Sequence, residues 1–359
     1  MKYTWTKYNL LEEIDTLNRL KKNKSNKEIY DINRNIHLIE DFIEELEILG
    51  DMCSTKEVCI NNAKYLNLFS FLREDIMSSK YNEVYRFDYD IKEDKRKYSK
   101  KEILTTTHDF YKSIDKSIYL EFMKSFKERY NNVVFNDLID DTYEACTFGI
   151  PYLDKTYLVL NKSNELSSLY SSAHEYAHAL SFHMNNENLT SYHKSFLNES
   201  YSLFFELLFT DYLTKNNFKY AYDYIYNLFV DNISMSYDIN EMLNLTDLYN
   251  EIGCNKNKSF KEEAYKRFGY DKDYIDCINQ TDLETLVPYS FGYYVAIELY
   301  ELYKFDKEKA IYVLKKLILL KNLTSIEYYK EMKKLGINPN SHVSDYITDL
   351  KDNLLFNRN

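Results

Sequence analysis

The chain has 359 residues, enough for one large domain or two modest ones with a buried core. Its 6 Gly and 3 Pro are too few for a barrel or sandwich built on many tight turns, so long helices joined by polar loops are expected. A formal net charge of -11 keeps the chain soluble, repels polyanions and supplies no basic footprint for nucleic acid.

Read in chain order, residues 8–20 carry Leu10, Leu11, Ile14, Leu17 and Leu20 at helical spacing. A second helix runs from about 26, with Ile29, Ile32, Ile36, Ile39, Ile43 and Leu46 on one stripe and Gly50 as its stop. A short helix is expected over 66–77, and the charged stretch 81–101 reads as a mobile connection. Helical spacing returns over 102–130 through Phe110, Ile114, Ile118, Phe122 and Phe126. Between 142 and 161, TYEACTFG and TYLVLN are short and rich in β-branched and aromatic residues, and read as two strands of a small sheet. Helices are then expected over 166–184, 194–213, 218–229, 260–267, 289–303, 307–320 and 325–335.

No apolar run approaches the roughly 20 residues needed to cross a bilayer, and residues 1–9 lack an apolar signal core. The five cysteines, Cys53, Cys59, Cys146, Cys254 and Cys277, form no CxxC pair and are odd in number, so reduced thiols are expected. Together these features predict a cytoplasmic protein with no membrane partner.

The sharpest motif is HEYAH, from His174 to His178, within the expected helix 166–184. Positions i and i+4 lie one turn apart on one helix face, so both imidazoles can reach one ion at about 2.0–2.1 Å. Glu175, beside the first histidine, is placed to take a proton from an activated water. Ala173, Ala177 and Leu180 make the segment apolar, which argues against two solvated surface histidines. A catalytic zinc wants three protein ligands and a water, and Glu199 on the next helix is the natural third. Glu206 follows seven residues later on the same face and suits a carboxylate that fixes a ligand histidine's tautomer. His183, half a turn off the motif's face, and His193, in a polar segment, are weaker alternatives.

These residues resemble the oligopeptidase group that includes thimet oligopeptidase and oligoendopeptidase F. HEYAHAL is similar to that family's HExGHxxH helix, and NESYSLFFE carries its E-x-x-S-x-x-x-E pattern through Glu199, Ser202 and Glu206. EACTFG with TYLVLN resembles its edge strand and neighbour, VPYSFGYYVAIELY its Tyr-rich FGY segment, and KKLGINPNS its closing turn. The resemblance covers about residues 105–355 and departs at Ala177, which replaces a Gly, and at Ser181, which replaces a third His. It has no counterpart of the family's substrate-binding His, and the first hundred residues match nothing in it.

The resemblance implies a mainly α, zincin-like helical peptidase fold with one small β-sheet beside the active-site helix. It implies one Zn2+ per chain and a short or unfolded peptide as substrate. Residues 1–101 would form a helical N-terminal region and residues 102–359 the zinc metallopeptidase region. Ala145, Cys146, Thr147 and Phe148 would lie along the substrate by β-augmentation. Tyr293, or failing it Tyr289, would hydrogen-bond the oxyanion. The expected activity is zinc metalloendopeptidase; a carboxypeptidase-type zincin and a non-catalytic zinc-stabilised peptide-binding scaffold are the alternatives.

Overall fold

The computed structural model describes residues 4–22, 24–48, 89–136, 145–161, 165–185, 198–252, 258–271, 274–275, 283–320, 325–339 and 341–356. The helix expected over 66–77, the first part of the connection 81–101, His193 and four of the five cysteines lie outside these residues. Two compact units are formed: residues 1–54 with 94–221, and residues 55–93 with 222–359. Residues of the region expected at 102–359 therefore occur in both.

The first unit opens with α1 (Thr4–Leu20) and α2 (Asn26–Ile48). Next come α3 (Lys100–Ile114), α4 (Lys116–Phe126) and one turn, α5 (Arg129–Asn132). The single run expected over 102–130 is broken at Asp115, whose extended backbone ends α3 while its carboxylate accepts from the amides of Ser117 and Ile118 to cap α4. The apolar spacing continues across the break, so periodicity alone does not show it. Ser99 and Glu102 close a reciprocal capping box at the start of α3.

Strands β1 (Val133–Asn136), β2 (Cys146–Ile150) and β3 (Lys155–Asn161) form one sheet in the order β1-β3-β2. β3 runs parallel to β1 and antiparallel to β2, with Thr147 opposite Leu158 and Gly149 opposite Thr156. The β2–β3 connection is a single turn, 151–153, closed by Asp154 in the left-handed region at φ 50°. β1 was not expected; four residues are too few to show alternation.

Side-chain alternation divides the sheet. Phe148 and Ile150 of β2, with Tyr157 and Val159 of β3, pack against Leu17 of α1 and Ile32, Ile36 and Ile39 of α2. Glu13 of α1 pairs with Lys155 and accepts from the Tyr157 hydroxyl. The opposite face carries Thr147, Gly149 and Thr156 and receives α6 (Leu166–Asn185). α6 is buried on nearly every side, as a helix held between a sheet and other helices must be. Phe122 and Phe126 of α4 lie against Tyr176, and Tyr111 of α3 donates to the Ala173 carbonyl at 2.7 Å. α7 (Asn198–Lys215) packs beside α6.

The second unit contains α8 (Ala221–Ile252) from its second residue onward, α9 (Lys258–Phe268), α10 (Leu283–Phe305), α11 (Lys307–Ile318), α12 (Ser325–Lys334) and α13 (Val343–Phe356). The expected helix 218–229 is much longer, because Asn232, Ser236 and Asn240 are buried among its apolar residues and blur the stripe. Ser236 bonds Ser290 and Tyr294 of α10. Glu298 of α10 accepts from both the amide and the ring of His342 at the start of α13. Within the connection expected to be mobile, residues 89–99 are irregular but anchored, Asp223 accepting from Tyr89 and Lys92 and Asp94 from Tyr98. No helix among the described residues is long and apolar enough to cross a membrane.

Candidate metal centre

HEYAH occupies the middle of α6, so His174 and His178 share one face and their rings stand 4.8 Å apart, inclined at 73°. Their Nε2 atoms are 3.1 Å apart. Glu199, in the first turn of α7, brings Oε2 to 3.4 Å from the His174 Nε2 and 3.6 Å from the His178 Nε2. Two neighbouring helices thus bring three donors to one point.

This set fits a zinc ion. Tetrahedral ligands held at about 2.0–2.1 Å stand about 3.3 Å from one another, close to the three separations seen. His174, His178 and Glu199 are the group of the described residues assembled like this, and Glu199 is 1% exposed. Two ring nitrogens facing a buried carboxylate at these spacings place three lone-pair donors together in a site with little access to water. That arrangement is costly unless a cation or protons sit between them.

The electrostatics point the same way. Burial works against a charged His174, but hydrogen bonds to Glu199 and Glu206 and the nearby Glu175 outweigh it and hold the ring well above its usual range. Burial equally disfavours a charged Glu199, yet the two histidines draw its carboxyl well below the usual carboxylate range. The cluster therefore favours positive charge among buried carboxylates.

Glu206, two turns along α7 from Glu199, accepts from His174 Nδ1 at 2.6 Å. With Nδ1 protonated, the Nε2 lone pair is left for a cation. The His178 Nδ1 is buried and has no partner among the described residues, so the two histidines are supported unequally.

Glu175 is 4% exposed and receives a hydrogen bond from Thr147, whose hydroxyl lies 2.7 Å from Oε2 and 2.9 Å from the Glu175 carbonyl. The sequence motif groups Thr147 with a substrate-facing strand. No sequence signal links it to Glu175, which lies 28 residues further on. The Phe148 side chain is in the sheet core, and Cys146 packs against the edge of the same core. Ala145 is half-buried just before β2. Among the described residues β2 is an outer strand of the sheet.

The first unit thus brings together His174, Glu175, His178, Glu199, Glu206 and Thr147. Tyr289 and Tyr293 belong to the second unit, on α10. Tyr293 is buried beside Phe229, its hydroxyl 3.4 Å from that of Tyr346, whereas Tyr289 is half-buried.

His183, the weaker candidate ligand, is engaged elsewhere: Nδ1 lies 2.9 Å from Asp154 Oδ1 and Nε2 2.9 Å from Ser125 Oγ. The spacing is that of a Ser–His–Asp triad, but Ser125 is 1% exposed and its hydroxyl is shared with Thr156. A nucleophile closed off in that way meets no substrate, and the trio ties α4, the sheet and α6 together.

No family model matches the chain, and no curated protein matches it by sequence. Solved structures do share its fold. A protein of Chlamydophila abortus provisionally named a peptidase aligns with a TM-score of 0.56 at 14% identity, over 82% of this chain and 55% of that one. A protein of Bacillus anthracis provisionally named oligoendopeptidase F gives 0.57 at 12%, over 82% and 56%. PZ peptidase A, solved with an inhibitor, gives 0.51 at 11%, over 82% and 58%. The chain thus spans little more than half the length of the structures it matches. What it shares with them is the mainly helical fold, which in this chain includes one small three-stranded sheet among the described residues.

Proposed function

We propose that this chain is a zinc-dependent metallopeptidase, an oligoendopeptidase acting on short or unfolded peptides in the cytoplasm. The observation that carries the reading is the convergence of His174 and His178 of α6 with Glu199 of α7, Glu175 standing beside His174 on α6. The likeness in fold to proteins named as peptidases supports it. His174, His178 and Glu199 would hold the zinc, which when bound supplies a Lewis acid for the scissile carbonyl and lowers the pKa of water to about 7.

The chain's own groups do the rest. Glu206 accepts a hydrogen bond from His174 Nδ1–H and so fixes the tautomer whose Nε2 lone pair is left to bind the metal. Glu175 acts as general base on the attacking water and then carries that proton to the leaving amine nitrogen. None of these steps needs a covalent intermediate. The substrate backbone is assigned to the stretch 145–148, and oxyanion donation to Tyr293 first and Tyr289 second, as the resemblance implies. Replacing each tyrosine with Phe reads that role as a loss in kcat.

The deciding experiment incubates zinc-loaded protein with a peptide library and identifies products by mass spectrometry. Internal cuts that vanish in Glu175→Gln, with zinc still bound, are expected. Stepwise loss of C-terminal residues would instead assign an exopeptidase. Full activity in Glu175→Gln would refute the role of Glu175. Zinc binding without cleavage of any peptide would leave a scaffold, although a scaffold has no chemical use for Glu175.

A further inference from the structure

Side chains on β2 alternate between two neighbours. Phe148 and Ile150 enter the core shared with α1 and α2, so Thr147 and Gly149 face α6. At Gly149 the absence of a Cβ lets the strand lie directly on the Phe182 ring. That close approach puts the next inward residue, two positions along, within reach of the helix with a short side chain. Thr147 uses it to place Oγ1 2.7 Å from Glu175 Oε2, both residues being 4% exposed.

We propose that Thr147 is a positioning residue for Glu175, holding its Oε2 so that the other carboxylate oxygen, Oε1, exchanges the proton with water and leaving amine. The proposal rests on the peptidase reading above and adds to it the element that orients the base. A glutamate side chain has three rotatable bonds, and one charge-assisted hydrogen bond from a fixed strand removes most of that freedom. The Thr147 hydroxyl neither gains nor loses its proton. It has one hydrogen for two acceptors, Oε2 and the Glu175 carbonyl at 2.9 Å. The shorter of the two contacts is the one to Oε2, so the hydroxyl ties the carboxylate to the strand. The choice of threonine is explained in the same step: a β-branched residue suits the strand, and its hydroxyl serves the neighbouring helix.

The test compares Thr147→Val, which keeps shape and loses the hydroxyl, with Thr147→Ser, which keeps the hydroxyl and loses a methyl. Expected for Thr147→Val is a fall in kcat of about tenfold or more, with KM within about twofold and wild-type zinc content. Thr147→Ser should recover kcat to within about threefold of wild type. Independently of activity, crystals of metal-free protein should show Glu175 in one rotamer in wild type and in Thr147→Ser, and in more than one in Thr147→Val. If the valine variant does not fold, Thr147→Ala is read by the same measures. Unchanged kcat in the hydroxyl-less variant, equal damage from serine, a rise in KM alone, or an undisturbed Glu175 rotamer each overturns the proposal. An inactive wild type would overturn the peptidase reading instead, while the rotamer comparison still decides the role of Thr147.

Discussion

Gly149→Ala tests how closely the sheet carries the helix of the candidate site. A methyl added at Gly149 would lie 2.9 Å from Phe182 Cγ and closer still to Cδ2 and Cε2. Carbon atoms in good contact are about 3.5–4.0 Å apart, so ring and strand must separate by about 1 Å or more. Phe182 is 0% exposed on a helix buried nearly all round, so the ring has no open space to turn into. Overpacking of this kind costs about 1–3 kcal/mol, and the rigid surroundings place Gly149→Ala at the upper end. Phe182→Ala alone should cost about 3–5 kcal/mol through the cavity it leaves. Combined, the added methyl enters that cavity, and the two costs should fall short of their sum by about 2 kcal/mol. Urea unfolding followed by far-UV circular dichroism measures this. A Gly149→Ala cost under about 0.5 kcal/mol, or strict additivity with Phe182→Ala, would refute the packing argument. Phe182→Leu serves in the same cycle if the alanine variant is too unstable to measure.

Glu206→Gln removes the charge beside His174 Nδ1 and should weaken zinc binding about 10–100-fold, read by competition with a chromophoric chelator. Zinc at a hundredfold excess over Kd should stabilise the wild type by about 2.7 kcal/mol and so raise its unfolding temperature, and should leave that of the His174→Ala, His178→Ala double variant unchanged. An equal shift in the double variant would place the metal elsewhere. Burial lowers the pKa of His183 from its ordinary value of 6.5, with Asp154 opposing in part. Because the folded value is depressed, this residue's contribution to stability is complete above pH 6.5 and is lost as pH falls from there through the folded value. The stability difference between wild type and His183→Gln should therefore be larger at about pH 7 than at about pH 5, and a difference independent of pH would contradict it.

The oligoendopeptidase-like likeness in sequence motifs and the likeness in fold arise from different information. The motifs concern a few side chains at fixed spacing, and the fold comparison concerns the backbone path at 11–14% identity. At that identity the fold likeness says nothing of individual side chains, whereas the motif reading rests on HEYAH within α6 and on Glu199 and Glu206 two turns apart on α7. The N-terminal helices matched no motif. They cover the far face of the sheet with Leu17, Ile32, Ile36 and Ile39, which any apolar residue of suitable size can do.

What the chain itself determined is local. Few glycines and prolines made helices the rule, i and i+4 spacing put two imidazoles on one face, and their β-branched and aromatic content marked β2 and β3 as strands. Tertiary structure decided what meets across long separations. It broke the run at Asp115, extended α8 through its buried polar residues, and turned Thr147 toward Glu175 rather than outward. It also brought Glu199 to within 3.6 Å of both ring nitrogens. The division has a simple cause. Periodicity reports which side of one element is apolar, whereas contacts between elements depend on how closely they pack, and here a missing Cβ at Gly149 sets that distance.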